Sequence, residues 1–188
     1  MNFCSQCGAR VQRGTPPGDH LPRDICPSCG TIHYENPKLV VGCVPEHEGM
    51  ILMCRRAIEP RLGYWTVPAG FMENGETLQQ AAARECLEEA EAVVEIGSLL
   101  LVASILQAHQ VHVFFRAHLP QPDYGVGIES LETRLVAPAD IPWNDIAFPS
   151  TDYALRRYLE DRSQGVEPHH FAELSRRPDT RPRGTMTR

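Results

Sequence analysis

The sequence contains no run of apolar residues approaching the roughly 20 that a membrane span requires. Its opening residues, MNFCSQCG, have neither the basic start nor the apolar stretch of a secretory signal, so the expected location is the cytoplasm and no membrane partner is expected. Positive charge is not in excess either, since 24 Asp and Glu outnumber 18 Lys and Arg and leave a net charge of −6. That balance argues against nucleic acid as the main partner. It leaves room for an anionic small molecule, because phosphates are commonly met through metal ions held on a protein's own carboxylates. Nor is a disulfide framework expected from seven cysteines in a cytoplasmic chain. The main domain shows no internal repeat.

What is present divides unevenly. Hydrophobic residues at 42 % and charged residues at 22 % describe an ordinary globular protein, and 188 residues suffice for one domain with a small appendage. Residues 1–36 hold two CxxC pairs, several prolines and glycines and little apolar material. A unit this small needs a metal or crosslink to fold. Residues 37–165 form the main domain, and 166–188, which lack any period, are expected to be a mobile tail.

Cys4 and Cys7, then Cys26 and Cys29, give C-x2-C twice, each pair followed by a glycine, Gly8 and Gly30. A two-residue spacer turns both sulfurs of a pair onto one ion, and the glycine allows the tight turn of a knuckle. Four thiolates in two knuckles suit tetrahedral Zn²⁺. The competing readings are four free buried cysteines or a redox pair, and a redox motif would not be duplicated with nothing apolar around it. With four protein ligands the site is closed, hence structural, and His20 and His33 read as surface or packing residues. The linker's few arginines are offset by Asp19 and Asp24, which favours a scaffolding or dimerisation role over nucleic-acid docking.

In the main domain, LVVGCV at 39–44 and MILMCRR at 50–56 read as strands, and GYWTVPAGFMENGE reads as a shaped loop. Thr77 and Gln80 fit a capping box, so a helix should begin there and end near 91–93. Two longer strands follow around the turn AHQ, then a strand at 132–136 and an amphipathic helix closed by Gly165. The order implies an α/β or α+β sandwich, a mixed sheet with helices on its faces.

Glu85, Glu88 and Glu89 stand at i, i+3 and i+4 on the first helix, one stripe of like charge that weakens a helix unless a cation offsets it. Oxygen ligands at this density suit Mg²⁺ or Mn²⁺, while the bland alternative is a solvated acidic face. The glycine-rich loop before the helix could seat a phosphate.

These residues resemble the signature of the Nudix hydrolases, G-x5-E-x7-R-E-U-x-E-E-x-G-U with U aliphatic. Gly70, Glu76, Arg84, Glu85, Glu88 and Glu89 match its spacing, whereas Glu91 replaces the last glycine and Cys86 and Ala92 replace aliphatic residues. The resemblance implies a Nudix-type sandwich behind a small zinc ribbon. It implies that Glu85, Glu88 and Glu89, with the Gly70 carbonyl and a further carboxylate, Glu129 or Glu132, hold Mg²⁺ or Mn²⁺. Arg84 and Glu76 would orient the helix and loop, and water would attack phosphorus without a phosphorylated enzyme. Cys86 should face the buried side.

HYENPKLVVGCV and CRRAIEPRLGYWTVPAGFMENGE resemble the zinc-ribbon group of ADP-ribose and FAD pyrophosphatases. The SQPWPFPxS-like segment of NADH pyrophosphatases is not found between Val93 and His118. The expected substrate is therefore FAD or ADP-ribose, cleaved to release AMP, with NADH or another ADP-sugar as the alternative and a homodimer as the expected assembly. Arg55, Arg56 and Arg61 are candidates for phosphate contacts, and Tyr64 and Trp65 for ring contacts, with Trp65 equally suited to anchor the core. Phe114 and Phe115 read as core on at least one side. A Nudix domain that senses a ligand without turnover is the competing function, and the intact Glu85–Glu89 pattern weighs against it.

Overall fold

The computed structural model describes residues 1–175, which form two compact units, Met1–Pro37 and the chain from Lys38 onward. In the first, β1 (Gln12–Gly14), β2 (Arg23–Ile25) and β3 (Ile32–His33) make a small antiparallel sheet in that order. The two knuckles fold alike. Gly8 N donates to Cys4 O and Gly30 N to Cys26 O, both at 2.9 Å, with Gly8 and Gly30 at φ 72° and 74°. Those left-handed angles are why a glycine follows each pair.

The second unit contains β4 (Lys38–His47), β5 (Met50–Arg56), β6 (Trp65–Thr66), β7 (Ala69–Phe71), α1 (Leu78–Ala90), β8 (Glu95–Ile105), β9 (Gln110–His118), β10 (Ser130–Val136), α2 (Pro149–Gln164) and β11 (His170–Glu173). The main sheet runs β10-β5-β4-β9-β8-β11, with β6 beside β5 and β7 beside β4. It is mixed, since β4 runs parallel to β9 and β11 to β8, while the other pairs are antiparallel.

Strand periodicity divides the core into two layers. On β5, Ile51 and Met53 join Trp65, Leu101, Phe114 and Leu155 in the layer that includes α2 residues. Leu52 and Cys54 join Val41, Phe115, Ala81 and Cys86 in the layer beneath α1. The sheet therefore lies between two helices, as the sequence implies, and Cys86 is fully buried there as a small apolar side chain.

The capping box is formed. Gln80 N donates to Thr77 Oγ1 at 3.2 Å, and Thr77 N donates to Gln80 Oε1 at 2.8 Å. At the other end the helix does not run on. Glu91 itself takes the left-handed conformation, φ 49°, that the signature's glycine would supply. The loop after β9 then folds over the end of α1: Gly125 N donates to Ala90 O, Gly127 N to Glu89 O, and Ser130 Oγ to Glu89 O at 2.7 Å. A Cβ at Gly127 would strike the Glu88 carbonyl, so the loop can lie this close only with glycine there.

One expectation is corrected. The tail from residue 166 is in part a strand, because β11 pairs with β8 from His170 to Glu173. Arg116 anchors it, donating to the Asp161 carboxylate, to Leu99 O at 2.8 Å and to Pro168 O at 3.0 Å, while His170 Nε2 lies 2.9 Å from Asp161. Residues 176–188 of that expected tail lie outside the described residues.

A residue with a Cβ at positive φ costs about 1 kcal/mol relative to glycine. Glu91→Gly is therefore expected to raise stability by about that amount in urea or thermal unfolding. Unchanged or lowered stability would show that the Glu91 side chain compensates for its backbone.

Candidate active site

Two sets of functional side chains are built, one in each unit. In the first, the Cys4, Cys7, Cys26 and Cys29 sulfurs all lie within 4.8 Å of one another. The Cys4–Cys29 and Cys7–Cys26 separations are 3.6 and 3.5 Å. A tetrahedral ion with Zn–S bonds of about 2.3 Å would hold sulfurs about 3.8 Å apart, so the cluster fits Zn²⁺ with little adjustment. Burial works against a thiolate at Cys4, but N–H groups of Gln6 and Cys7 and the His33 side chain prevail and bring it down to about 6. His33, read from sequence as a surface or packing residue, lies with Nε2 3.3 Å from Cys4 Sγ.

In the second unit a cleft of about 910 Å³ opens between the C-terminal half of α1, β7 and the first turn of α2. Glu85, Glu88 and Glu89 line it from one helix face. Glu85 and Glu89 are buried, while the Glu88 side chain is 58 % exposed. Glu89 is pushed up to about 8, chiefly by burial and despite the hydrogen bond it accepts from Ala69 N at 3.2 Å. Burial likewise raises Glu85 above the usual carboxylate range. Two carboxylates in a desolvated cleft have too little positive charge around them.

Arg84 supplies the only guanidinium that bonds to Glu85 among the described residues. Its Nε and Nη2 grip Glu76 at 3.0 and 2.8 Å, its Nη1 reaches Glu85 and Glu88 at 2.8 Å each, and Nη2 also meets Phe71 O. Glu76 is held down to about 2, first by that hydrogen bond to Arg84. Arg84 thereby links Glu76 and the Phe71 carbonyl to two glutamates of α1. With Arg84 between Glu85 and Glu88, the three carboxylates of α1 are not drawn to a point as the cysteine sulfurs are. They nonetheless fit a divalent cation by their oxygen-only chemistry and by their unmet negative charge. Gly70 belongs to the same site, because any Cβ there would run into the Glu85 carboxylate.

Glu129 lines the cleft, and its charge helps raise both Glu85 and Glu89. Glu132, its alternative, instead lies 3.7 Å from Arg55. Of Arg55, Arg56 and Arg61, only Arg56 lines the cleft. It is buried, Nε donates to Pro60 O at 2.9 Å, and its guanidinium carbon lies over the Phe148 ring, 5.0 Å from the ring centre. Its terminal nitrogens make no hydrogen bond among the described residues. Arg55 bonds to Gly63 O and does not line the cleft. The ring contacts expected of Tyr64 and Trp65 are corrected: both are buried, Trp65 sits in the α2-side core with Arg134 over its ring, and neither lines the cleft. Alternation along β5 and β6 explains this, since it sends Arg56 and Thr66 to the cleft and their neighbours elsewhere. Phe114 is core on one side and forms cleft wall on the other.

Sequence reasoning missed Gln110, His112, Ser150 and Thr151, which line the inner end of the cleft. Gln110 and His112 alternate with Val111 and Val113 at the start of β9, and that alternation was the available signal.

A model of the NUDIX domain matches residues 36–152, and a zinc-ribbon model described as the Nudix N-terminal matches residues 2–35. The chain belongs to the Nudix family. A Nudix hydrolase from Nitrosomonas europaea, known from its crystal structure, is 55 % identical, with a TM-score of 0.90 over 93 % of this chain and 99 % of that one. The NAD-capped RNA hydrolase NudC of Vibrio cholerae is 37 % identical over 50 % of this chain and 33 % of its own. The ADP-ribose pyrophosphatase of Methanocaldococcus jannaschii is 37 % identical over 38 % of this chain and 42 % of its own. The chain thus spans about a third of the length of the NudC relatives it matches. No helix among the described residues is long and apolar enough to cross a membrane.

Burial lowers His112 to about 4, below the 6.5 of an unperturbed histidine. The unfolded chain therefore binds a proton that the native state refuses between those values. The native advantage is whole above pH 6.5 and falls away as the pH drops toward 4, by about 3 kcal/mol. His112→Gln should flatten that part of the stability profile. Parallel profiles for the two proteins would contradict the assignment.

Proposed function

We propose that this Nudix chain is a divalent-metal-dependent pyrophosphohydrolase, cleaving the pyrophosphate of a nucleoside diphosphate joined to another group and releasing AMP. FAD and ADP-ribose are the favoured substrates. The observation that carries this reading is the pairing of buried, undercompensated Glu85 and Glu89 with a free guanidinium face, Arg56, in one cleft. A site built to take cations at one end and an anion beside them suits a metal-complexed pyrophosphate.

Glu85, Glu88, Glu89, Glu129 and the Gly70 carbonyl would hold Mg²⁺ or Mn²⁺. Such ions, when bound, supply charge against the pyrophosphate and make an adjacent water a stronger nucleophile. The chain's own residues do the rest. Arg84 and Glu76 tie the loop carrying Gly70 to α1, keeping the carboxylates in register. Arg56 offers its two terminal nitrogens to a phosphate oxygen, with Phe148 holding its plane. Ala69 N–H fixes one oxygen of Glu89.

The N-terminal unit, residues 1–36, is read as a structural Zn²⁺ ribbon that serves as scaffold or dimer contact. Under this reading the protein acts in the cytoplasm as a homodimer on a nucleotide-type small molecule. The names of the NudC relatives point instead to an NAD-capped RNA, and they keep NAD-type substrates in the test panel.

Hydrolysis of FAD, ADP-ribose, NADH and a nucleoside triphosphate, with Mg²⁺ or Mn²⁺, tests the reading. AMP should appear from FAD or ADP-ribose and should not appear when the cation is omitted. Glu85→Gln and Glu89→Gln should each lower kcat by about 100-fold or more with the fold retained. Near-native rates in either variant would refute the metal assignment, and binding without turnover by the native protein would favour a sensing domain. Cys4→Ser should release zinc, read as metal content. Full retention would show that Cys4 is not a ligand.

A further inference from the structure

The cleft has a second polar end that the proposed chemistry does not use. It lies where the start of β9 meets the first turn of α2, and its side chains are Gln110, His112 and Ser150. His112 and Ser150 are more than nine-tenths buried, at 8 % and 1 % exposure. His112 Nδ1 lies 2.8 Å from Ser150 Oγ, and its Nε2 lies 2.9 Å from Gln110 Oε1.

Proton positions follow from what each atom can do. An amide oxygen only accepts, so His112 Nε2 carries the proton and donates it to Gln110 Oε1. Burial keeps the imidazole neutral at ordinary pH, which leaves it one N–H. Nδ1 is then a lone pair, and the Ser150 hydroxyl donates to it. The relay engages the carbonyl side of Gln110. Its amide nitrogen, with two N–H groups, makes no hydrogen bond among the described residues. Val40 and Phe114 supply apolar wall beside it.

We propose that Gln110, fixed in orientation by His112 and Ser150, is a specificity-determining residue whose amide N–H groups read a hydrogen-bond acceptor on a planar nitrogen heterocycle of the substrate. This rests on reading the cleft as a nucleotide site. A freely turning glutamine could offer oxygen or nitrogen and would discriminate little. One whose oxygen is already taken presents donors only, and it rejects a ring edge that presents donors in return. His112 and Ser150 are positioning residues, acting through Gln110. Adenine and isoalloxazine both offer a flat ring with acceptors, and these are the two rings that the favoured substrates carry.

The test is equilibrium binding of AMP and of FMN to the zinc-loaded protein without added divalent cation. It does not depend on turnover, so its failure is separable from a failure of the hydrolase reading. Gln110→Glu keeps an oxygen for His112 and replaces the donors with an acceptor. It should weaken one of the two ligands about tenfold or more. Loss for AMP assigns the pocket to adenine, and loss for FMN assigns it to isoalloxazine. His112→Phe, which releases the amide to turn, should weaken the same ligand, and the double variant should be no worse than the weaker single one. A merely structural His112 would instead give additive losses and would not share the ligand preference. If His112→Phe does not fold, Gln110→Glu alone decides. Affinities within twofold of native for both ligands, or no binding of either by the native protein, would overturn the proposal.

Discussion

Four glutamates crowd around α1, and a single guanidinium touches three of them. Arg84 grips Glu76 with two nitrogens and reaches Glu85 and Glu88 with a third, while also bonding to Phe71 O in the loop before α1. Like charges at i, i+3 and i+4 destabilise a helix on their own. Here that repulsion is partly offset by a residue on the same helix, and the offset also ties the loop to the helix. Glu89 lies beyond its reach. Among the described residues only the Ala69 N–H bonds to its carboxylate, and burial pushes it up to about 8. The site is thus compensated just enough to fold, with a charge deficit left at the buried end.

The rest of the unit serves that arrangement. The mixed sheet presents Gly70 beneath the Glu85 carboxylate, where no larger residue fits. The loop over the end of α1 satisfies its last carbonyls and, in doing so, carries Glu129 to the cleft. The same cleft continues past Arg56 to the α2 side, where neutral donors replace carboxylates. One groove therefore changes from anionic to hydrogen-bond-donating along its length, a polarity that matches a metal-bound pyrophosphate flanked by a ring.

Much of this was legible in the residues. The capping box at Thr77, the closure at Gly165 and the two-layer alternation of β5 follow from local rules that tertiary structure did not override. The glutamate stripe and the cysteine pairs were visible because ligand chemistry imposes spacing. Long-range placement was not legible in the same way. Nothing local distinguishes Arg55 from Arg56, or tells that Tyr64 and Trp65 are buried away from the cleft, because that depends on strand register. The order of β11 depends on Arg116 and Asp161, 45 residues apart, and no short-range period reports such a pair. Glu91 departs from the signature's glycine, and only the folded chain decides whether the helix continues or the residue adopts the left-handed angle itself.

Under the proposed reading, Glu85 and Glu89 take a divalent cation to balance their buried charge. Mn²⁺ binding to the zinc-loaded protein, followed by calorimetry or electron paramagnetic resonance without substrate, tests it most directly. The native chain should bind Mn²⁺ saturably, and Glu85→Gln and Glu89→Gln should each lose or sharply weaken that binding with zinc content unchanged. Equal Mn²⁺ affinity in all three proteins would contradict it.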